Sequence, residues 1–215
     1  MSIFSRSYEE SRGKFLSLKA EIERHWPVAQ FKSKGIDTYE DNEGSKGLSV
    51  DIIQGVPERK EKEIIITSGV HGIEGYVGAA LINYFVKEFL DELNPTNTGI
   101  TLVHAVNPWG MKYRRRVNQN NVDLNRNFIC NWVEHKSDIN KYYSELKNFL
   151  QPGKEVKKYK GLFPSFYWNT LKSLIKIGSS DLKRATLLGQ YQYPQGIYYG
   201  GDNYQESTSQ MIDSS

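Results

Sequence analysis

His71-Gly72-Ile73-Glu74 sets an imidazole and a carboxylate three positions apart, directly after the run EIIITS and at the head of a helical pattern starting near Gly75. On a first helical turn the two side chains project to one side, where both can ligate one metal ion. Glycines at 69, 72 and 75 let the backbone turn tightly and approach a substrate. A bare HxxE is also what a plain helix start contains, with His71 capping and Glu74 complementing the dipole. The second chemical segment runs from Tyr113 to Phe128, YRRRVNQNNVDLNRNF, with Arg114, Arg115, Arg116 and Arg126 set among amides. Guanidinium forks bind carboxylates in bidentate fashion and stabilise oxyanions, and Asn supplies both donor and acceptor groups. The same text also reads as a solvated basic loop or an RNA contact, although it offers few rings for base stacking and Asp123 interrupts its charge.

These residues need a scaffold. Gly47 to Gln54 and Glu63 to Ser68 are short β-branched runs bounded by Gly, Pro and charge, as strands are. Gly75 to Leu93 carries Val77, Ala80, Leu81, Tyr84, Phe85 and Phe89 at helical spacing, and Asn94-Pro95 stops it. Ile100 to Val106 is a third strand, closed by a turn at Asn107-Pro108-Trp109-Gly110. Strand, helix, strand predicts a βαβ unit, hence an α/β fold with a mostly parallel or mixed twisted sheet flanked by helices. Ligands in such sheets sit beyond the carboxyl ends of the strands, which selects the loops Ser68 to Glu74 and Asn107 to Phe128. Ser7 to Arg24 reads as a covering helix, and Asp138 to Leu150, Pro164 to Ile177 and Ser180 to Gly189 as later helices. One domain is expected over 1–201, with a polar, frayed tail over 202–215.

HGIEG after a strand, then a second strand, then NPWGMKYRRRVNQNNVDLNRNF, resembles the zinc metallocarboxypeptidase-like superfamily, in its bacterial branch related to succinylglutamate desuccinylase and aspartoacylase. PQGIYYGG at 194–201 adds weaker support, and the resemblance spans about Gly47 to Gly201. It implies the phosphorylase/hydrolase-like zinc carboxypeptidase fold, a Zn2+ cofactor held by His71 and Glu74, and a carboxylate-bearing substrate gripped by Asn125 and Arg126. Arg116 is implied as the catalytic arginine that polarises the scissile carbonyl, with Arg115 as its fallback and substrate contact. A third zinc ligand, a late histidine, and a later general-base glutamate are also implied. Neither has a counterpart among His25, His71, His104 and His135 or at Glu206, so the expectation is either a chain cut at its C-terminus or an intact divergent one that has lost catalysis, with weak zinc binding. His104, within ITLVHAV, is expected to be a packed core imidazole, His135 a surface residue and Cys130 a half-buried structural thiol.

The chain has 215 residues and a formal charge of +3, too small and too mixed in sign to argue for nucleic acid. One cysteine excludes an internal disulfide framework. With no apolar run near the ~20 residues of a membrane span and no secretory leader pattern, a soluble cytoplasmic protein is expected. Three functions compete: a zinc-dependent amide or peptide hydrolase acting on a small carboxylate-bearing substrate, a non-catalytic carboxylate-binding protein, and, with least support, an RNA-binding protein.

Overall fold

Ser7 starts the first helix because its hydroxyl accepts from the Glu10 N–H at 3.1 Å, and two glutamates in the first turn complement the dipole. The resulting α1 (Tyr8–Ser17) runs almost directly into α2 (Lys19–His25). The computed structural model describes residues 3–36, 47–150, 168, 171–172 and 180–212. They fall into two compact units, one of Met1–Asn120 with Gln205–Ser215, the other of Asn121–Tyr204.

The first unit is built on a four-stranded mixed sheet of order β1-β2-β4-β3, formed by β1 (Val28–Gly35), β2 (Ser49–Val56), β3 (Lys62–Thr67) and β4 (Thr98–His104). Only β3 and β4 are parallel; β1 pairs antiparallel with β2, and β2 with β4. The parallel pair is the predicted βαβ unit, its crossover being α3 (Gly75–Phe89) and a 3-10 turn at Leu90–Glu92. Mixed rather than mostly parallel is therefore the outcome. The strand β1 was not legible because its text, VAQFKSKG, is largely exposed and has no clean alternation of apolar and polar residues.

Register decides what reaches the core. Ile53 stands opposite Leu102 and Asp51 opposite His104, so these four face one side of the sheet. There Phe15, Leu18 and Ile22 from α1 and α2, Trp26, and Ile82, Val86 and Leu90 from α3 pack with Ile53, Ile100 and Leu102. Trp26 also donates its indole N–H to the Thr98 carbonyl at 2.8 Å, which satisfies the one polar atom it buries. The opposite face carries Ile52, Gln54, Thr101 and Val103, with Met211 beside them. Met211 comes from α7 (Glu206–Ile212). The expected frayed tail is thus helical at 206–212, with Ser207 and Thr208 buried, because polar text can still pack when its small side chains fit.

Where Asn107-Pro108-Trp109-Gly110 predicts a turn, it opens α4 (Pro108–Tyr113), with Asn107 accepting from the Gly110 N–H at 2.8 Å and Pro at the first position. The second unit contains α5 (Tyr143–Leu150), shorter than the expected 138–150, and α6 over residues 180–187. Tyr143 is fully buried there and stacks on Tyr193, with ring centroids 5.7 Å apart. The helix expected over Pro164 to Ile177 falls largely outside the described residues. No helix among the described residues is long and apolar enough to cross a membrane.

Candidate metal and carboxylate site

The chain leaves β3 at Thr67 and must turn at once. Gly69 takes φ +74, a left-handed conformation open to glycine, and Asn107 donates its N–H to the Gly69 carbonyl at 2.7 Å. After that turn His71 has extended backbone, and Gly72–Glu74 form a single 3-10 turn that leads into α3. The expected first helical turn is therefore a tighter one, but it still gathers the two side chains. His71 Nδ1 lies 3.3 Å from Glu74 Oε2. The imidazole is mostly covered, its side chain 13% exposed, while the carboxylate is 66% exposed.

A clasp of backbone hydrogen bonds brings the arginine segment to this turn. Gly72 donates to the Arg116 carbonyl at 3.4 Å and Ile73 to the Arg115 carbonyl at 3.1 Å. The Asn107 amide adds a bond to the same Arg116 carbonyl at 3.3 Å, and Arg115 donates to Gly110 O at 2.7 Å. The result places Arg116 Nη1 3.8 Å from Glu74 Oε1. Sequence reasoning missed this clasp, although Gly72 was its signal: a Cβ there would lie 1.9 Å from the Gly110 carbonyl carbon and 2.1 Å from Met111 N. Only glycine lets α4 lie against the turn. Arg114 caps α4 in the left-handed region, with φ 54, so that Arg115 and Arg116 can run back along 72–73.

A tetrahedral ion with bonds of about 2.0–2.1 Å holds neighbouring donors roughly 3.3 Å apart. The His71–Glu74 separation matches that chord, and an imidazole nitrogen with a carboxylate oxygen is a donor pair that zinc accepts. The pair therefore fits two positions of one zinc ion. Among the described residues no group of three His, Cys, Asp or Glu side chains is gathered to hold a metal.

The remaining histidines have other surroundings. His25, in α2, has Nε2 2.7 Å from Asp91 Oδ1, and its pKa is raised, chiefly by that hydrogen bond. His104 is the packed imidazole expected: fully buried, 3.0 Å from Ser11 Oγ through Nε2, and stacked on Phe15. Burial lowers its pKa to about 4, against the opposing pull of Asp51. Asp51 beneath it is also fully buried and accepts from Arg12 Nε at 2.6 Å, Ser33 Oγ at 2.5 Å and Ser49 Oγ at 3.0 Å. This polar cluster left no signal in the sequence, since its members are separated by up to 93 positions.

Asn125 and Arg126 belong to the other unit. Asn125 is exposed and donates its backbone N–H to Asp123 Oδ1 at 3.1 Å. Arg126 is enclosed, its side chain 16% exposed, with Nη2 donating to the Leu187 carbonyl at 3.0 Å and Nη1 3.5 Å from the fully buried Asp123. Tyr191 donates its hydroxyl to the Arg126 carbonyl at 2.8 Å, and Asn127 donates to the carbonyls of Gly200 and Asn203. The Tyr- and Gly-rich segment thus packs around the NRN text. His135 is half-buried rather than a surface residue, with its ring 4.2 Å from that of Tyr191. Cys130 is exposed, not half-buried as expected.

The family described as protein of unknown function (DUF2817) matches residues 4–213. The chain belongs to that family. No curated protein matches this DUF2817 chain. Solved structures similar to it include bovine thrombin-activatable fibrinolysis inhibitor in complex with tick carboxypeptidase inhibitor, at 18% identity and a TM-score of 0.40, covering 57% of this chain and 43% of that one. A candidate metallopeptidase from Shewanella denitrificans is similar at 21% identity, also with a TM-score of 0.40, covering 70% of this chain and 55% of that one. The DUF2817 chain therefore spans about half the length of these two structures.

Proposed function

We propose that this protein is a zinc-dependent hydrolase of an amide or peptide bond in a small carboxylate-bearing substrate, of the carboxypeptidase or aspartoacylase type. The observation that carries the reading is the His71 Nδ1–Glu74 Oε2 separation of 3.3 Å, with the Arg116 guanidinium 3.8 Å from the other carboxylate oxygen. Bound there, zinc supplies a water of pKa near ~7 and a Lewis acid for a carbonyl oxygen. The chain's own residues do the rest. His71 and Glu74 would hold the ion, just beyond the carboxyl end of β3, where α/β sheets place their ligands. Arg116 sets a fixed positive charge beside Glu74, which would stabilise negative charge on a substrate carbonyl oxygen. Arg115, carried on the same clasp, is a contact for the substrate.

Calorimetric titration of the purified chain with zinc, alongside hydrolysis of N-acyl amino acids and short peptides, tests the reading. Weak one-to-one binding is expected, weakened further by at least ~10-fold in His71→Ala, together with hydrolysis that a chelator removes. A chain that takes up no zinc near neutral pH, or hydrolysis indifferent to both chelator and His71→Ala, overturns it.

A further inference from the structure

The helix that starts at the candidate metal site carries a second feature, on its outer side. Ile73, Val77, Leu81 and Tyr84 follow one another at helical spacing and are 50%, 55%, 60% and 45% exposed. Four large apolar side chains in one uninterrupted row differ from scattered surface hydrophobics, and together with Phe89, 40% exposed, they present roughly 500 Å² of apolar surface, the size of patch that is often functional. The row continues into charge. One turn beyond Tyr84 come Glu88, then Asp91 and Glu92, all exposed, with Lys87 Nζ 3.4 Å from Glu88 and His25 Nε2 2.7 Å from Asp91. At the other end of the row, Arg114, Arg115 and Arg116 are exposed and tied to residues 72–73 by the backbone clasp. The face is therefore apolar in the middle, with a net positive charge at its start, where Glu74 stands beside the three arginines, and a net negative charge at its end, where Lys87 stands among the three carboxylates.

That polarity selects the partner. Two copies of α3 laid antiparallel about a twofold axis bring Val77 of one copy opposite Leu81 of the other, and Ile73 opposite Tyr84. The same register carries Glu88 past Ile73 of the other copy, toward its Arg114–Arg116 segment, and symmetry repeats the pairing. A parallel arrangement would set like charges together at both ends. From the charge complementarity and the continuous apolar row we infer that this face pairs with a second copy of the chain, α3 against α3 in antiparallel orientation. With roughly 1,000 Å² buried in total, the dimer sits at the lower end of specific interfaces and is expected to be a weak, concentration-dependent one.

Sedimentation velocity of the full chain, from about 1 to 200 μM, decides the matter at concentrations where such interfaces associate. A monomer–dimer equilibrium is expected, weakened at high salt because its ends are ionic. Leu81 is largely exposed, so Leu81→Lys folds normally and is expected to weaken association by at least ~100-fold through a charge buried at the centre of the row. Glu88→Arg is expected to weaken it about 10-fold, and the double variant Glu88→Arg/Arg115→Glu to restore it. A chain that stays monomeric over the whole range, or Leu81→Lys that associates like the parent, overturns the inference. A double variant no tighter than Glu88→Arg alone overturns the antiparallel pairing it states.

Discussion

His71 and His104 stand near the ends of neighbouring strands in one sheet, each with a carboxylate close by, and their surroundings differ in almost every other respect. His104 has no exposure, meets Ser11 through Nε2, stacks on Phe15, and lies opposite Asp51, which is itself sealed beneath Arg12, Ser33 and Ser49. His71 leans on a carboxylate that is two-thirds exposed, on a turn whose shape is held by backbone bonds rather than by its side chains. Removing water from a histidine makes it a structural group that stays neutral. The two regions set the same residue types in a sealed cluster in one place and beside a solvent-exposed carboxylate in the other, with desolvation of the carboxylate as the variable that separates them.

The largest test of that contrast is pH. His104 has a folded pKa of about 4, below the 6.5 of an unperturbed imidazole. Between those values the unfolded chain binds a proton that the folded chain does not, so stability is full above about pH 6.5 and falls as pH drops toward 4. The shift corresponds to roughly 3 kcal/mol. Urea midpoints measured from pH 7.5 to 4 are expected to fall accordingly, and His104→Gln is expected to lose most of that slope. A slope of the same size in His104→Gln would place the acid sensitivity elsewhere.

Next in size is the ion pair under it. Arg12→Ala leaves the Asp51 carboxylate buried, with hydroxyl donors but no cation, and is expected to cost about 2 kcal/mol, less than for a fully buried pair because the Arg12 side chain is 31% exposed. Denaturant unfolding with an unchanged m-value checks it. No loss would mean that the hydroxyls alone satisfy the carboxylate.

How far this contrast could be read without coordinates follows from its physics. The β3–α3–β4 crossover, the HxxE turn and the buried place of His104 were legible, because helical and strand periodicity and glycine punctuation act over a few residues. The antiparallel placement of β2 and the existence of β1 were not, since strand direction depends on partners far along the chain and β1 has an exposed face with no alternation to read. The Asp51 cluster was invisible for the same reason: Ser11, Arg12, Ser33 and Asp51 mean nothing until folding brings them together. At the candidate site the residue types were legible and the clasp was not. Gly72 was noticed for its freedom to turn, whereas its structural use is to let Gly110 and Met111 approach.

The smallest expected effect is the most diagnostic. Glu74→Gln replaces a carboxylate that is 66% exposed, keeps its size, and removes a charge that faces His71 at 3.3 Å and Arg116 at 3.8 Å. Exposed pairs of this kind contribute about 0–1 kcal/mol, so stability is expected to change by less than ~0.5 kcal/mol and the melting temperature by no more than about 2 °C. Zinc is expected to respond quite differently, because an amide oxygen is a poorer ligand than a carboxylate and the pair supplies two of the ion's positions. A side chain that matters little to folding and much to metal uptake is what a binding site requires. If Glu74→Gln melts several degrees lower while zinc uptake is unaltered, the turn is a structural helix start, and the contrast between the two histidines is one of degree rather than of function.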